Sequence, residues 1–531
     1  MNPVASPKDP ISRAWWRSAV VYQIYPRSFA DSTGDGVGDL EGIGSRLEYL
    51  AWLGVDAIWL SPFYPSPMKD FGYDVADYCG VDPIFGDLEA FDRLVTKAHR
   101  LGIRVLVDLV PNHTSDQHPW FVESRSSRDS PKRDWYIWRD GTPEKPPNNW
   151  KGAFLGGPAW TWDTATEQWY LHLFLPEQPD LNWAEPAVEE AMHGVVRFWL
   201  DRGVDGFRID VVHTLGKDPA LPDTPDELIL EPRASVHDDP ATHPILRRLR
   251  AMTDTYPQDP VLVGEVHLLD TAKIGEYYGE GDELHLAFNF PALYAEWDAG
   301  AWKKQLADAD AVFGPVDAWP TWVLSNHDEP RHRTRYGTEE RARAAAVLLL
   351  TLRGTPFMYA GEELGLEDAE VPPDRVVDPG GRDGCRAPIP WDGSENHGWG
   401  PDPWLPFPPD PDTRNMESLK ADLESILHLY RRLLALRRDS PTLKLGSFKV
   451  LESPQGTLLY ERVLDDDRVF VLVNFSDSEV RFGDGVSGVQ PASGAEILVS
   501  TYGSGSGGAG HIESVPASGA LVFRSPSSTP I

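Results

Sequence analysis

The strongest constraint on the fold is an alternation that repeats eight times. From about Val20 onward, short apolar runs are separated by amphipathic stretches: VVYQIYP, DAIWLSP, RVLVDLVPNH, VDGFRIDVV, VLVGEV, LHLAFNF, TWVLSNHD and TPFMYAGEE. Their length and β-branched content are those of buried strands. Intervening segments such as LEAFDRLVTKAHRLG and VEEAMHGVVRFWLDRG carry helical apolar spacing and end in Gly, a C-cap signal. Strand followed by helix implies parallel strands joined by right-handed crossovers, and eight such units match a (β/α)8 TIM barrel of the α/β class.

The repeat is broken after the third run by a stretch rich in Trp, Pro and Asn that contains RDWYIWRD, PPNNW and QPDLNW, which reads as an inserted subdomain. A Pro, Gly and Asp-rich segment from Leu366 to Thr413 reads as a long loop over one face of the barrel. From about Leu443 the pattern changes to alternating strands, SFKVLES, TLLYERVL, RVFVLVNFS and ALVFRS, and predicts a C-terminal antiparallel β domain. The expected division is barrel over 1–112, insert over 113–182, barrel again over 183–442, and β domain over 443–531.

Charge and composition exclude several functions. With 82 acidic against 49 basic residues the net charge is −33, which repels nucleic-acid backbones and anionic membrane surfaces. No stretch approaches the ~20 apolar residues of a membrane span. The 20 Trp and 17 Tyr suit a hydroxyl-rich neutral ligand, because aromatic faces stack on sugar rings. Pro3, Pro7 and Asp9 interrupt the N-terminus, which does not read as a secretory signal, and Cys79 and Cys385 form no disulfide framework. A cytoplasmic protein is expected; the oligomeric state is left open.

Catalytic groups of a TIM barrel sit at the C-terminal ends of its strands. The third run closes in Asp108, Asn112 and His113, the fourth in Arg208 and Asp210, the fifth in Glu265, and the seventh in His327 and Asp328. One acid at a strand end is commonly a helix cap or an ion-pair partner. Four strands that all end this way point to one reactive centre.

DLVPNH, GFRIDVV, GEVHL and SNHDE, in this order, resemble the four signature segments of the α-amylase superfamily, glycoside hydrolase family 13. GDGVGDLEGI, GYDVADY, QPDLNW and GRDGCRAPIPW resemble its oligo-1,6-glucosidase and α-glucosidase branch. The resemblance implies Asp210 as nucleophile, Glu265 as acid/base and Asp328 as a third carboxylate that grips sugar hydroxyls beside His327. It implies His113 on the same glucose, with Asp70 and Tyr73 of DFGYD binding and stacking on it, and Arg386 closing a blind pocket beyond it. Phe174, with Phe154, resembles aromatics that the insert adds to the pocket wall. Arg208, two residues before Asp210, can hold that carboxyl ionised, with Asp108 as its structural partner. Val211, next after the nucleophile, resembles members that prefer α-1,6 linkages, while HTLGKDPALPD resembles broad or α-1,4-acting ones.

The expected activity is retaining, exo-acting hydrolysis of terminal α-linked glucose from short α-glucosides through a covalent β-glucosyl enzyme, with no organic cofactor. Two rivals remain. A transglucosylase or a sucrose or maltose isomerase would use the same residues, and amino-acid transporter heavy subunits resemble this barrel without being glycosidases. The loop DSTGDGVGD spaces Asp31, Thr33, Asp35, the Val37 carbonyl and Asp39 as calcium ligands, so a structural calcium is expected.

Overall fold

The computed structural model describes residues 14–154, 156–225, 238–481, 495–502, 509–510 and 514–524. Residues 1–13, which contain most of the N-terminal stretch behind the cytoplasmic expectation, lie outside the described residues.

All eight apolar runs form strands. β1 (Val21–Ile24), β2 (Ala57–Leu60) and β3 (Arg104–Leu109) open the barrel. β4 (Trp138–Arg139), β5 (Trp160–Asp163) and β6 (Gln168–Leu171) then form a separate antiparallel sheet within the insert. β7 (Gly206–Ile209), β8 (Val261–Gly264), β9 (Leu286–Ala287), β10 (Thr321–Val323) and β11 (Thr355–Tyr359) complete the barrel sheet. Its order is β10-β11-β1-β2-β3-β7-β8-β9. The paired strands run parallel, for example β3 with β7 and β7 with β8.

The register explains how the site is assembled. Asp108 on β3 lies opposite Arg208 on β7, and Ile209 lies opposite Gly264 on β8. Asp210 and Glu265 follow one step beyond, with Asp210 N–H donating to Leu109 O and Glu265 N–H to Ile209 O. β7 opens on Gly206 because its neighbour is too close for a side chain: a Cβ there would stand 2.4 Å from Val261 O.

Helices fill the crossovers and start where side chains satisfy their free N–H groups. Asp39 caps Leu40–Leu53 at Gly42 N–H, and Asp87 caps Leu88–Arg100 at Ala90 N–H. The helix Glu339–Thr351 is apolar nearly all round, and every residue from Ala344 to Thr351 is buried. It packs on the C-terminal antiparallel sheet, whose strands include Thr457–Leu464, Asp467–Asn474 and Ala520–Arg524. Two buried guanidiniums tie its last turn down: Arg437 donates to Leu350 O and Gly354 O, and Arg462 donates to Thr351 O and Gly446 O. Among the described residues no helix is long and apolar enough to cross a membrane. Both cysteines are free thiols.

Behind β11 two adjacent acids are buried differently. Glu363 accepts from the Tyr22 and Tyr49 hydroxyls at 2.8 and 2.9 Å. Burial pushes the Glu362 carboxyl up to about 8, the Tyr359 backbone bond and Arg331 offsetting only part of this. An unfolded Glu titrates near ~4.3, so this contribution to stability is complete below that pH and is lost as pH rises through about 8. Glu362→Gln, fixed neutral, is expected to gain on the native protein between pH 5 and pH 8.5. Urea titrations at the two pH values check this, and a constant difference would contradict it.

Candidate active site

Arg208 organises the centre. Its side chain is buried, its Nη1 lies 2.8 Å from Asp108 Oδ1 and 2.5 Å from Asp210 Oδ1, and its Nη2 lies 2.5 Å from Glu265 Oε2. The guanidinium also sits over Trp59, 5.2 Å from the ring centroid. Asp210 and Glu265 are thus bridged by the two prongs of one fork, side by side at the ends of neighbouring strands. Asp108, fully buried, pairs with the guanidinium and anchors it.

Three carboxylates share one cation here, and two of them, Asp108 and Asp210, are held above the ordinary carboxylate range. Burial pushes Asp210 upward; Arg208 counteracts, while Glu265 and Asp108 add to the rise. Asp108 is raised to about 7, burial again outweighing Arg208. A group that acts as an anion and has a raised pKa loses that action as pH falls through it. The acidic limb of kcat/KM against pH is therefore expected above the ordinary Asp value of ~3.9. A limb at or below that value would contradict the raised Asp210.

A second group lies across the site. Asp328 has a 29 % exposed side chain and is the most open of the three candidate acids. Although burial opposes it, His327, Arg382 and Arg386 hold its carboxyl well below the usual range. His327 is fully enclosed, and burial lowers it to about 3, so it is neutral. Its Nδ1 faces Gln23 Nε2 at 2.7 Å, which leaves the proton on Nε2, near the Tyr73 hydroxyl at 2.6 Å and Asp328 Oδ2 at 3.3 Å. Tyr73 stacks on the His327 ring at 5.4 Å and donates to Asp108 Oδ2, linking the two groups.

Asp70 is nearly buried and close to His113 through a third residue, Gln178, whose Nε2 lies 3.0 Å from Asp70 Oδ2 and 3.1 Å from His113 Nε2. Gln178 belongs to QPDLNW and had no role in the sequence reading. The Phe174 ring packs 5.1 Å from His113, and Phe154 lies 6.0 Å from Phe174. His113 Nε2 also lies 3.2 Å from Tyr73 O, so Asp70, Tyr73, His113, Phe174, Arg208, Asp210, Glu265, His327 and Asp328 are joined at one end of the barrel.

Arg386 sits differently from its expected place at the pocket wall. It is 0 % exposed and lies beneath the site, donating to His327 O and to Asp328 Oδ1. The residue that reaches over is Arg382, four positions earlier in GRDGCR. It contacts Asp70 Oδ1 at 2.6 Å, Asp328 Oδ1 at 2.9 Å and Asp378 Oδ1 at 2.7 Å, and stacks over Phe154 at 4.9 Å. Arg382, and not Arg386, is thus the arginine that pairs with Asp70.

The loop after β1 uses its carboxylates locally. Asp31 accepts N–H groups of Thr33, Gly34, Gly36 and Gly400, which outweigh burial and lower its pKa, while Asp35 accepts Val37 N–H. Asp39 accepts from Ser32 and Gly42. Among the described residues no group of three or more His, Cys, Asp or Glu side chains is gathered as for a metal ion. Carboxylate, hydroxyl and carbonyl oxygens are the ligand types that calcium takes, although each Asp31 oxygen here already accepts two N–H groups.

A parallel barrel whose neighbouring strands β7 and β8 lead into two acids on one guanidinium, with a third acid, Asp328, held by Arg382 and Arg386, has the makings of a reactive centre. Residues 23–446 match the family model for the alpha amylase catalytic domain. The chain belongs to this α-amylase family of glycoside hydrolases. It is 43% identical over 516 residues to a probable alpha-glucosidase of Rhizobium meliloti strain 1021, covering 90% of this chain and 92% of that one. It is 38% identical to an oligo-1,6-glucosidase of Parageobacillus thermoglucosidasius, covering 88% and 91%. The trehalulose synthase of Pseudomonas mesoacidophila MX-45 superposes with a TM-score of 0.88 at 34% identity, covering 97% of this chain and 100% of that one.

Proposed function

We propose that this chain is a retaining, exo-acting α-glucosidase that hydrolyses terminal non-reducing α-linked glucose from short oligosaccharides of the maltose or isomaltose type. The observation that carries the reading is the Arg208 fork, which touches Asp210 and Glu265 at once, each at 2.5 Å, and so sets two carboxyls side by side, as a retaining mechanism needs. Asp210 attacks the anomeric carbon as Glu265 protonates the departing oxygen, and the C1–O bond breaks. Glu265 then takes a proton from water, whose oxygen displaces Asp210 and restores the α configuration. Asp328 and Arg382 hold hydroxyls of the bound glucose, and the Asp70–Arg382 pair favours a pocket that admits chain ends.

The likeness to a trehalulose synthase favours one alternative, in which a sugar hydroxyl replaces water on the glucosyl enzyme. A time course with maltose, isomaltose and sucrose, read as the anomer released before mutarotation, tests both. α-Glucose supports the proposal, β-glucose refutes retention, and new disaccharides without net hydrolysis favour the transferase. Structural calcium held by Asp31, Thr33, Asp35, Val37 O and Asp39 belongs to the same proposal, as does a cytoplasmic location. A lower Tm after chelation, restored by added calcium, is the expected sign of the ion.

A further inference from the structure

Val211, next after Asp210, stands in the left-handed region at φ 35°, ψ 44°. A β-branched side chain is strongly disfavoured there, and such strain persists only where surrounding bonds enforce it. Three bonds do so. Thr214 donates twice to Val211 O, from its backbone N–H at 2.9 Å and its hydroxyl at 2.7 Å, and Val212 N–H donates to Glu265 O at 3.1 Å. The turn aims Val211 N–H across to β8, where it donates to Glu265 Oε2 at 3.1 Å. Arg208 Nη2 reaches the same oxygen at 2.5 Å.

A carboxylic acid carries its proton on one oxygen and accepts on the other. Both donors meet on Oε2, so the proton belongs on Oε1. We propose that the Val211 turn, locked by the Thr214 hydroxyl, is a positioning device that assigns the Glu265 proton to Oε1, the oxygen that delivers it to the glycosidic bond. The inference rests on Glu265 being the acid/base. In the first step the Oε1 proton passes to the leaving oxygen as C1–O breaks and Asp210 bonds to C1. In the second, Oε1 regains a proton from the attacking water. The charged and titratable groups around Glu265 are Arg208 and Asp210 from β7, Asp108 from β3, and His213 and His267 from the turns after β7 and β8; the test alters none of them.

Thr214→Val and Thr214→Ala remove the hydroxyl, and Thr214→Ser retains it. Each is assayed on the disaccharide the enzyme hydrolyses, whose leaving sugar needs a proton, and on p-nitrophenyl α-glucoside, whose leaving group does not. Loss of one hydrogen bond's worth of positioning is expected to lower kcat/KM, which reports the first step alone, about 3- to 10-fold on the disaccharide, with little change on the aryl glucoside and restoration by Ser. Equal losses on both substrates, or no loss, would overturn the proposal. Glu265→Gln is run alongside: without a larger loss on the disaccharide there, the acid role of Glu265 itself falls, and the turn's role with it.

Discussion

Asp210→Asn is expected to lower kcat by at least about 10⁴-fold, because an amide cannot form the covalent glucosyl ester proposed for Asp210. The substitution is nearly isosteric and keeps an oxygen for Arg208, whose other contacts to Asp108 and Glu265 stay in place. The fold should therefore survive, with near-native circular dichroism and Tm. The amide also relieves the crowding of three carboxylates around one cation, so a slight gain in stability is consistent with the same cause. Activity within tenfold of native in a preparation free of contaminating enzyme would remove Asp210 from the mechanism.

The second large effect belongs to Arg382. Its guanidinium is the shared partner of Asp70, Asp328 and Asp378, and the Asp378 side chain is fully buried. Removing one partner of a buried ion pair leaves the other charge uncompensated, at a cost of about 3–5 kcal/mol. Arg386 still reaches Asp378 at 3.3 Å and Asp328 at 3.1 Å, so the loss should fall at the lower end. Arg382→Ala is expected to reduce kcat/KM by about 10²-fold, since a charged hydrogen bond to the proposed glucose hydroxyl, worth up to about 3 kcal/mol, disappears. Arg386→Ala should harm stability more than its pocket, because that residue has no exposed surface. Kinetics and urea unfolding of the two variants separate the roles; identical behaviour would contradict the placement.

Periodicity made the barrel legible: eight apolar runs of strand length leave few other ways to bury themselves, and all eight are strands. The acids at their ends were legible for the same reason, since strand direction alone sends Asp210, Glu265 and Asp328 to one face. Arg382 was not. It lies in a long loop where two arginines share the segment GRDGCR, and only the path of that loop decides which of them turns toward Asp70. Gln178 was missed because an amide carries no charge signal; its location within QPDLNW was the available clue. Val211 was read as a marker of linkage, and its backbone role was invisible because valine argues against a left-handed turn.

The helix Glu339–Thr351 carries one last consequence. Because its apolar surface faces the barrel on one side and the C-terminal sheet on the other, and because Arg437 and Arg462 hold its final turn, the two units have a common interior. The C-terminal strands are thus not a detachable appendage. A polypeptide cut back to residue 442 would lay bare leucines and valines of a catalytic-unit helix and leave its last carbonyls without Arg462. It should be recovered as aggregate rather than as a smaller working enzyme, so any effort to miniaturise this glycosidase must begin by redesigning that helix.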